Sequence, residues 1–281
     1  MPPPDPPGLN VRGLWPPPEG PRVAIVGARR ATPYGEAVAE RLAADLVAAG
    51  VVVLSGLALG IDAAAHTGAI AAGGCTVAVM GTGVDLIYPH QNLALAERIV
   101  STGGALVSTF AAGTPPRRGH FPRRNWTLAE LSDVVVVAEA GEGSGALITA
   151  EAALALNREV MAVPGSVFSP ASVGCHQLLR DGAGLVQNAR DVLAVIGRGG
   201  EVLDDPLRPP RRLGIESPLG ADGLLAHLSD ALPVTAADLS RKLGLGFAEA
   251  LARLTRLELD GSVKRRGEGY IRVPRQRSGS E

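Results

Sequence analysis

The feature that most constrains this chain is a unit that recurs through residues 22 to 165: a short apolar run, a glycine-rich corner and an alanine-rich stretch of helical character. Its copies begin at Val23, Val51, Val77 and Val134. Continuous β-branched runs that alternate with helical stretches indicate strands buried on both faces, and therefore a parallel sheet with helices on each side. In such a sheet ligands bind beyond the carboxyl ends of the strands, where these corners lie. The corners therefore mark the expected binding site.

Length and composition fit a chain of two domains. The 281 residues, of which 46% are hydrophobic and 20% charged, suffice for one sizeable core and a small second one. No uninterrupted apolar run reaches the roughly 18 residues that a membrane span needs. The proline-rich start, Met1 to Pro7, has neither the basic nor the apolar region of a secretion signal. We therefore expect a cytoplasmic protein with no membrane partner.

Cysteine content and charge argue against disulfide-rich proteins, zinc proteins and polycations. Cys75 and Cys175 have no C-x-x-C spacing and no neighbouring histidine pair, so we expect neither a disulfide framework nor a zinc site. We expect no cofactor. The formal net charge of −1 argues against a polycation that coats nucleic acid indiscriminately. A local basic site is compatible with this total.

Composition shifts divide the chain. We expect a proline-rich segment (1–19), an α/β domain (20–197), a linker rich in Gly, Pro and Arg (198–217), a small second domain (218–274) and a tail (275–281). In the second domain the pattern predicts helices over Leu219–Leu228, 236–243 with Thr235 as N-cap, and Phe247–Leu259, followed by two short β runs. Three helices and a hairpin are typical of a winged helix.

The corners do not match the common nucleotide motifs. A P-loop needs a lysine after its last glycine, and the lysines of this chain, Lys242 and Lys264, lie in the second domain. A dinucleotide fingerprint needs an acidic residue at the end of the second strand, where this chain has Ser55 and Gly56. We therefore expect neither ATP hydrolysis by a P-loop nor NAD binding.

What remains is a set of glycine amides with arginines near them. Arg29 and Arg30 lie in the first corner, and a later loop carries Arg117, Arg118, Arg123 and Arg124 together with Phe121 and Trp126. The planar fork of arginine fits phosphate oxygens, and guanidinium groups beside aromatic rings suit single-stranded nucleic acid, whose unpaired bases can stack. The alternative interpretation is a solvated loop in which the two aromatic side chains are core anchors.

Several linked motifs resemble the DprA/Smf family of DNA-processing proteins. They are Val-Ala-Ile-Val-Gly-Ala-Arg at 23–29, Ser-Gly-Leu-Ala-Leu-Gly-Ile-Asp-Ala-Ala-Ala-His at 55–66, Gly-Thr-Gly-Val-Asp-Leu-Ile-Tyr-Pro at 81–89, His-Phe-Pro-Arg-Arg-Asn at 120–125 and Gly-Ser-Gly-Ala-Leu-Ile-Thr-Ala-Glu at 143–151. The resemblance covers about residues 13–197 and extends more weakly through the winged helix. It implies an extended Rossmann-like domain that dimerises, binds single-stranded DNA and loads a RecA-type recombinase during natural transformation, protecting the incoming DNA, with DNA repair as a further setting. It implies no enzymatic activity.

The resemblance also implies the DNA-binding residues. Gly27 and Arg29 match the corner that grips a backbone phosphate, and the adjacent loop contributes Phe121, Arg124 and Asn125. The matching pocket floor is Ser55, Gly56, Gly81, Gly83, Ser144 and Gly145. Trp126 stands where the family usually has arginine, so stacking would replace a phosphate contact there. With Arg30 and Arg123 from the basic clusters, these residues form the predicted site.

Other functions stay open at this point. Glu151 after a glycine corner also resembles the phosphate loop of nucleoside-monophosphate phosphoribohydrolases, which would make the protein an enzyme using that carboxylate. Asp62 and His66, four residues apart, suggest an acid/base pair, but we favour a capping or packing role. The wing residues, Lys264, Arg265, Arg266 and Arg272, are more basic than the third helix. They suit contact with duplex DNA or a protein better than the sequence-specific recognition of a transcription factor.

Overall fold

The computed structural model describes residues 8–197, 224–225, 227–229, 233–243, 246–267 and 269–273. The chain divides into two compact units, residues 1–210 and 211–281. Most of the helix predicted over Leu219–Leu228 lies outside the described residues. Within the described ranges, no helix combines the length and the apolar character that a membrane crossing would require.

An eight-stranded sheet forms the first unit, with the strand order β1-β5-β4-β3-β2-β6-β7-β8. Its strands are β1 (Asn10–Gly13), β2 (Arg22–Gly27), β3 (Val52–Ser55), β4 (Thr76–Val79), β5 (Ala105–Ser108), β6 (Val134–Glu139), β7 (Glu159–Ala162) and β8 (Gly184–Leu185). All neighbouring strands run parallel except β1, which pairs antiparallel with β5. The predicted mainly parallel, Rossmann-like sheet is confirmed.

The strand order reverses between β2 and β6. From β2 the chain builds the sheet in one direction through β3, β4 and β5, then crosses back to β6 and continues in the other direction. Val23 is paired with Val134, and Val26 with Val137, so the ends of both strands reach the same edge. Ligands bind at this type of switch point in doubly wound sheets because the loops that leave the two strands diverge and open a crevice.

Helices cover both faces of the sheet. They are α1 (Pro33–Ala48), α2 (Ile61–Ala71), α3 (Leu93–Ser101), α4 (His120–Glu130), α5 (Gly145–Ala155), α6 (Val173–Arg180) and α7 (Ala189–Val195). Alternate residues of β2 serve the two faces: Val23 and Ile25 pack with buried residues of α1, α2 and α7, and Ala24 and Val26 with those of α4 and α5. This two-sided burial explains why the strands are continuous β-branched runs rather than alternating ones.

The edge strand β1 lies inside the proline-rich N-terminal segment. Asn10 and Val11 pair with Ser108 and Val107, and the side chains alternate between half-buried and exposed. An edge strand of this kind has the period-two pattern of a sheet that is covered less completely. The sheet therefore begins before residue 20, where the sequence analysis placed the start of the α/β domain.

The described part of the second unit contains two of the three predicted helices and the hairpin. They are α8 (Ala236–Leu243), α9 (Phe247–Leu259), β9 (Val263–Arg266) and β10 (Gly269–Arg272). The Thr235 hydroxyl accepts a hydrogen bond from the Asp238 amide at 3.2 Å, as expected of an N-cap. Leu239, Leu254, Val263 and Tyr270 are buried together, so helices and hairpin share one small core.

Candidate functional site

A cleft of about 550 Å³ opens at the switch point. Its walls come from the β2–α1 corner, the start of α2, α4 with the loop before it, and the start of α5. The lining residues are Val26, Gly27, Arg29, Ala58, Asp62, Tyr88, Arg118, Phe121, Pro122, Arg124, Asn125, Leu128, Ser144, Gly145, Ala146, Ile148 and Thr149. Half of the residues predicted from the sequence are among them: Gly27, Arg29, Phe121, Arg124, Asn125, Ser144 and Gly145.

One stripe of α4 forms a wall of this cleft. Phe121, Arg124, Asn125 and Leu128 follow the i, i+3, i+4, i+7 spacing that places side chains on a single helix face. Trp126 lies between them in sequence but points elsewhere; its side chain is 43% exposed and does not line the cleft. The sequence grouped all of the loop residues together because it could not show where α4 begins.

The mouth of the cleft, defined as Arg29, Tyr88, Arg118 and Phe121, combines positive charge with aromatic rings. The guanidinium carbon of the exposed Arg29 lies 5.4 Å from the centre of the Phe121 ring. The ring of Tyr88 is tilted against that of Phe121, with centroids 5.7 Å apart. Arginine held over an aromatic face keeps donors directed outward. Such a mouth can bind a phosphate and stack a base within a short distance.

The floor of the cleft, defined as Asp62 and Arg124, is a buried ionic pair. Arg124 is 5% exposed, and its Nη1 donates to the Val79 carbonyl at 3.1 Å and lies 3.9 Å from the Asp62 carboxylate. Burial raises the pKa of Asp62, opposed by Arg124 and by the Ala58 and Gly56 amides that donate to the carboxylate. Burial likewise lowers the pKa of Arg124. This arginine is therefore a fixed internal cation rather than a mobile surface group.

The predicted glycines outside the cleft make room for its walls. A side chain at Gly56 would place Cβ 1.3 Å from Nη1 of Arg124, and one at Gly81 would place it 3.0 Å from the Phe121 ring. At Gly83 the obstacle is the Ala111 carbonyl oxygen, 2.6 Å away. These glycines support the site from behind without facing the ligand space.

The other predicted residues outside the cleft have different surroundings. The Ser55 hydroxyl is buried and donates to the Ile25 carbonyl at 2.6 Å, which joins β3 to β2. Arg30 is exposed next to Arg29 in sequence. Arg123 is also exposed, with its guanidinium carbon 5.3 Å from the Phe110 ring centre. A DNA contact by these three residues stays a prediction.

The N-terminus of α5 faces the cleft. Ser144 is the N-cap, and its hydroxyl accepts a hydrogen bond from the Ala146 amide at 3.4 Å. Asn125 donates from Nδ2 to the Gly145 carbonyl at 3.1 Å and so joins α4 to this helix end. The first amides of a helix carry partial positive charge and suit an anion. Two sources of positive potential, α5 and Arg29, therefore border the same cleft.

His66 is a buried packing residue, as predicted, whereas Asp62 lines the cleft. His66 is fully buried, and its Nδ1 lies 2.8 Å from the Thr76 hydroxyl, which itself donates to the Val53 carbonyl. The imidazole must therefore donate from Nδ1, because the hydroxyl hydrogen is already used. Burial, reinforced by the charge of Arg124, lowers the pKa of His66 to about 3.

The carboxylate of the enzymatic alternative lies elsewhere. Glu151 is exposed on α5 and lines a groove shared with Leu154 and α6, separate from the switch-point cleft. Within the described ranges, no group of His, Cys, Asp and Glu side chains is arranged to hold a metal ion. Tyr88 and Asp62, in contrast, line the cleft, although no binding role was predicted for them. The Tyr-Pro motif that contains Tyr88 was the available signal.

Comparisons with known proteins identify the family of this chain. The model of the family named DNA recombination-mediator protein A matches residues 3–197, and that of the DprA winged helix domain matches residues 208–269. A Mycobacterium tuberculosis protein described as a DNA processing protein DprA is 42% identical over 260 residues, which are 91% of this chain and 65% of that relative's length. The chain thus spans somewhat less than two thirds of this relative.

Two solved structures extend the comparison. The X-ray structure of DNA processing protein A from Streptococcus pneumoniae has a TM-score of 0.58 at 44% identity, covering 62% of this chain and 61% of that one. DNA processing protein A from Helicobacter pylori, described with a unique single-stranded DNA binding mode, has a TM-score of 0.61 at 29% identity, covering 68% and 86%. Because the family models account for both the switch-point sheet and the C-terminal region, this chain belongs to the DNA recombination-mediator protein A family.

Proposed function

We propose that this protein binds single-stranded DNA in the switch-point cleft and acts as a recombination mediator. The observation that carries the proposal is the mouth of the cleft, where the exposed Arg29 guanidinium lies 5.4 Å from the Phe121 ring centre, beside the N-terminus of α5. Positive charge tracks a phosphate backbone, and aromatic rings stack bases that are not paired. Duplex DNA keeps its bases stacked internally and would leave the rings without a partner.

The contacts expected of this cleft run mainly to phosphates. Arg29 and Arg118 supply charge at the mouth, and the first amides of α5 supply it inside. Phosphate contacts carry no sequence information, so binding should be almost independent of sequence and should weaken steeply with salt. No step of this function needs bond cleavage, and we propose a binding protein rather than an enzyme.

The finer parts of the proposal concern partners. We propose that the protein acts in the cytoplasm as a homodimer, protects incoming single strands and loads a RecA-type recombinase onto them in natural transformation, with DNA repair as a second setting. The family assignment supports the mediator role. Leu154 and Val173 are large apolar side chains exposed on α5 and α6, which gives this part of the surface the character of an interface.

The winged helix suits a second contact. Lys264, Arg265 and Arg266 are consecutive, exposed residues of β9, whereas Arg253 on α9 forms an ion pair with Glu249 at 2.7 Å. Basic charge is therefore concentrated on the wing rather than on α9. We propose that the wing contacts duplex DNA; a protein partner is the alternative that a competition assay would distinguish.

The test is fluorescence anisotropy of a labelled single-stranded oligonucleotide at two salt concentrations, with unlabelled duplex as competitor. We expect Arg29→Ala to weaken binding about tenfold or more, equally for all sequences, because a charge-assisted hydrogen bond is lost. The slope of log affinity against log salt should fall by about 0.7, the value for one single-strand phosphate. Arg98→Ala removes the same charge from the exposed surface of α3 and is the matched control.

Two results would contradict the proposal. If Arg29→Ala and Arg98→Ala bind alike, the cleft is not the binding site. If duplex competes better than single strand and Arg29 has no effect, the binding function belongs to the winged helix. Release of a nucleobase from a nucleoside monophosphate would instead support the phosphoribohydrolase.

A further inference from the structure

Two strand–helix corners flank the switch point, and the N-termini of their helices have different surroundings. The β6–α5 corner presents its helix N-terminus to the cleft, as described above. The β2–α1 corner is the one whose helix N-terminus receives the pyrophosphate in dinucleotide-binding sheets. In this protein that helix end is occupied by a side chain of the protein itself, the carboxylate of Glu139 at the end of β6.

Glu139 bonds to both ends of the loop 28–32. Its main-chain carbonyl accepts from the Ala28 amide at 2.7 Å. Its carboxylate accepts from the Thr32 amide at 2.9 Å through Oε1, and from the Thr32 hydroxyl through Oε2. That hydroxyl in turn accepts from the Gly35 amide at 3.1 Å and caps α1. Arg29 lies between the two anchored residues, Ala28 and Thr32.

The carboxylate is enclosed by the corner. Glu139 is 3% exposed. A Cβ at position 35, in the first turn of α1, would lie 2.6 Å from its Oε2, so that only glycine fits at this position. An amide, a hydroxyl and the positive end of the α1 dipole balance its charge. An external phosphate has no room at this helix end while the carboxylate is present.

We infer that Glu139 is a positioning residue of the single-stranded DNA site: it holds the loop that presents Arg29 and fills the phosphate position at α1. DNA phosphates are thereby directed to Arg29 and to the α5 N-terminus. The DNA part of this inference rests on the proposed function. The loop has a further anchor, since the Ala28 carbonyl accepts from the Ile61 amide at 3.2 Å. Loss of the carboxylate should therefore loosen the Thr32 end of the loop without releasing the Ala28 end.

A double-mutant cycle tests the positioning role. Glu139→Gln, which keeps the size of the side chain and removes its charge, should weaken single-strand binding about tenfold in the wild-type background and about twofold or less in Arg29→Ala. Thr32→Val, which removes the hydroxyl, should behave like Glu139→Gln, and Thr32→Ser, which keeps it, should bind like the wild type. A purely structural effect would reduce affinity equally in both backgrounds and would overturn the inference.

Hydrogen exchange tests the clamp without DNA. In Glu139→Gln the amide of Thr32 should exchange about tenfold faster, while the amides of β6 keep their wild-type rates. Unchanged exchange over residues 28–32 would overturn the inference even if DNA binding fell. If the wild type bound no single strand, the proposed function would fail together with the DNA role of Glu139. If binding depended on Arg29 but not on Glu139, only the inference would fail.

Discussion

The mouth and the floor of the switch-point cleft each contain an arginine from a family motif, and the two guanidinium groups have opposite surroundings. Arg29 at the mouth is exposed and lies over Phe121. Arg124 in the floor is buried, donates to the Val79 carbonyl and faces Asp62. An exposed guanidinium can exchange water for phosphate at little cost, whereas the Nη1 of Arg124 is already held by the Val79 carbonyl and the Asp62 carboxylate. Burial, more than residue type, separates an arginine that is open to solvent from an internal cation.

The largest expected effect is a loss of stability when the floor arginine, Arg124, is replaced. Arg124→Met removes the guanidinium but keeps an apolar stem, and it leaves the Asp62 carboxylate buried without its cation. We expect the free energy of unfolding to fall by about 3 to 5 kcal/mol, measured by urea denaturation. Arg123→Met, at an exposed neighbour, is the control and should change stability little. Normal stability of Arg124→Met with loss of DNA binding would show that the floor arginine is a ligand contact after all.

The second prediction concerns the histidine behind the floor. The pKa of His66 is about 3 in the folded protein and 6.5 for an ordinary histidine. Below pH 6.5 the unfolded chain therefore binds a proton that the folded chain does not, so acidification favours unfolding. Stability should fall by about 1.4 kcal/mol for each pH unit between 6 and 4 from this group.

The pH dependence can be assigned with His66→Asn. Asparagine retains a donor for the Thr76 hydroxyl but does not titrate. Urea denaturation at pH 7, 6 and 5 should show a shallower decline for this variant. A decline as steep as that of the wild type would assign the acid sensitivity to another group.

The third prediction returns to the mouth. Phe121→Leu keeps an apolar side chain but removes the ring that faces Arg29 and Tyr88. We expect single-strand affinity to weaken by about 1 to 3 kcal/mol, because a base loses its stacking partner. Anisotropy titrations should show this loss with little change in urea stability. A loss of stability with normal affinity would make Phe121 a core anchor, the alternative that the sequence left open.

The smallest effect is expected at Trp126. Its ring lies off the cleft-lining stripe of α4 and is 43% exposed. Trp126→Ala should change single-strand affinity by less than about 0.5 kcal/mol in the same titration. A loss of affinity as large as that of Phe121→Leu would show that the DNA-binding surface extends beyond the mouth of the cleft to Trp126.

Much of the fold could be predicted from the sequence because its signals are local. The β-branched runs before Gly27, Gly56 and Gly81 are strands, and the periodic stretches after Thr235 and Gly246 are helices. Each of these strand and helix signals depends on residues only a few positions apart, because hydrophobic period and helix capping are set by neighbours in sequence. The strand β1 was missed because its four residues, Asn-Val-Arg-Gly, contain no apolar run and are held by pairing with β5, nearly a hundred positions away.

The sequence by itself determined the parallel sheet, the glycine corners and the family motifs, since hydrophobic period and backbone freedom are properties of neighbouring residues. It could not show that Arg29 is exposed and Arg124 buried, or that Phe121 lines the cleft and Trp126 does not. Nor could it separate a glycine that lines the cleft from one such as Gly56, which leaves room for the side chain of Arg124. Tertiary structure separated their positions, because burial and partners are set where β2, β6, α4 and α5 meet. Which of these residues contact DNA stays a prediction. The position of the Glu139 carboxylate at the N-terminus of α1 also depends on tertiary structure, since Glu139 and Thr32 are 107 residues apart in sequence.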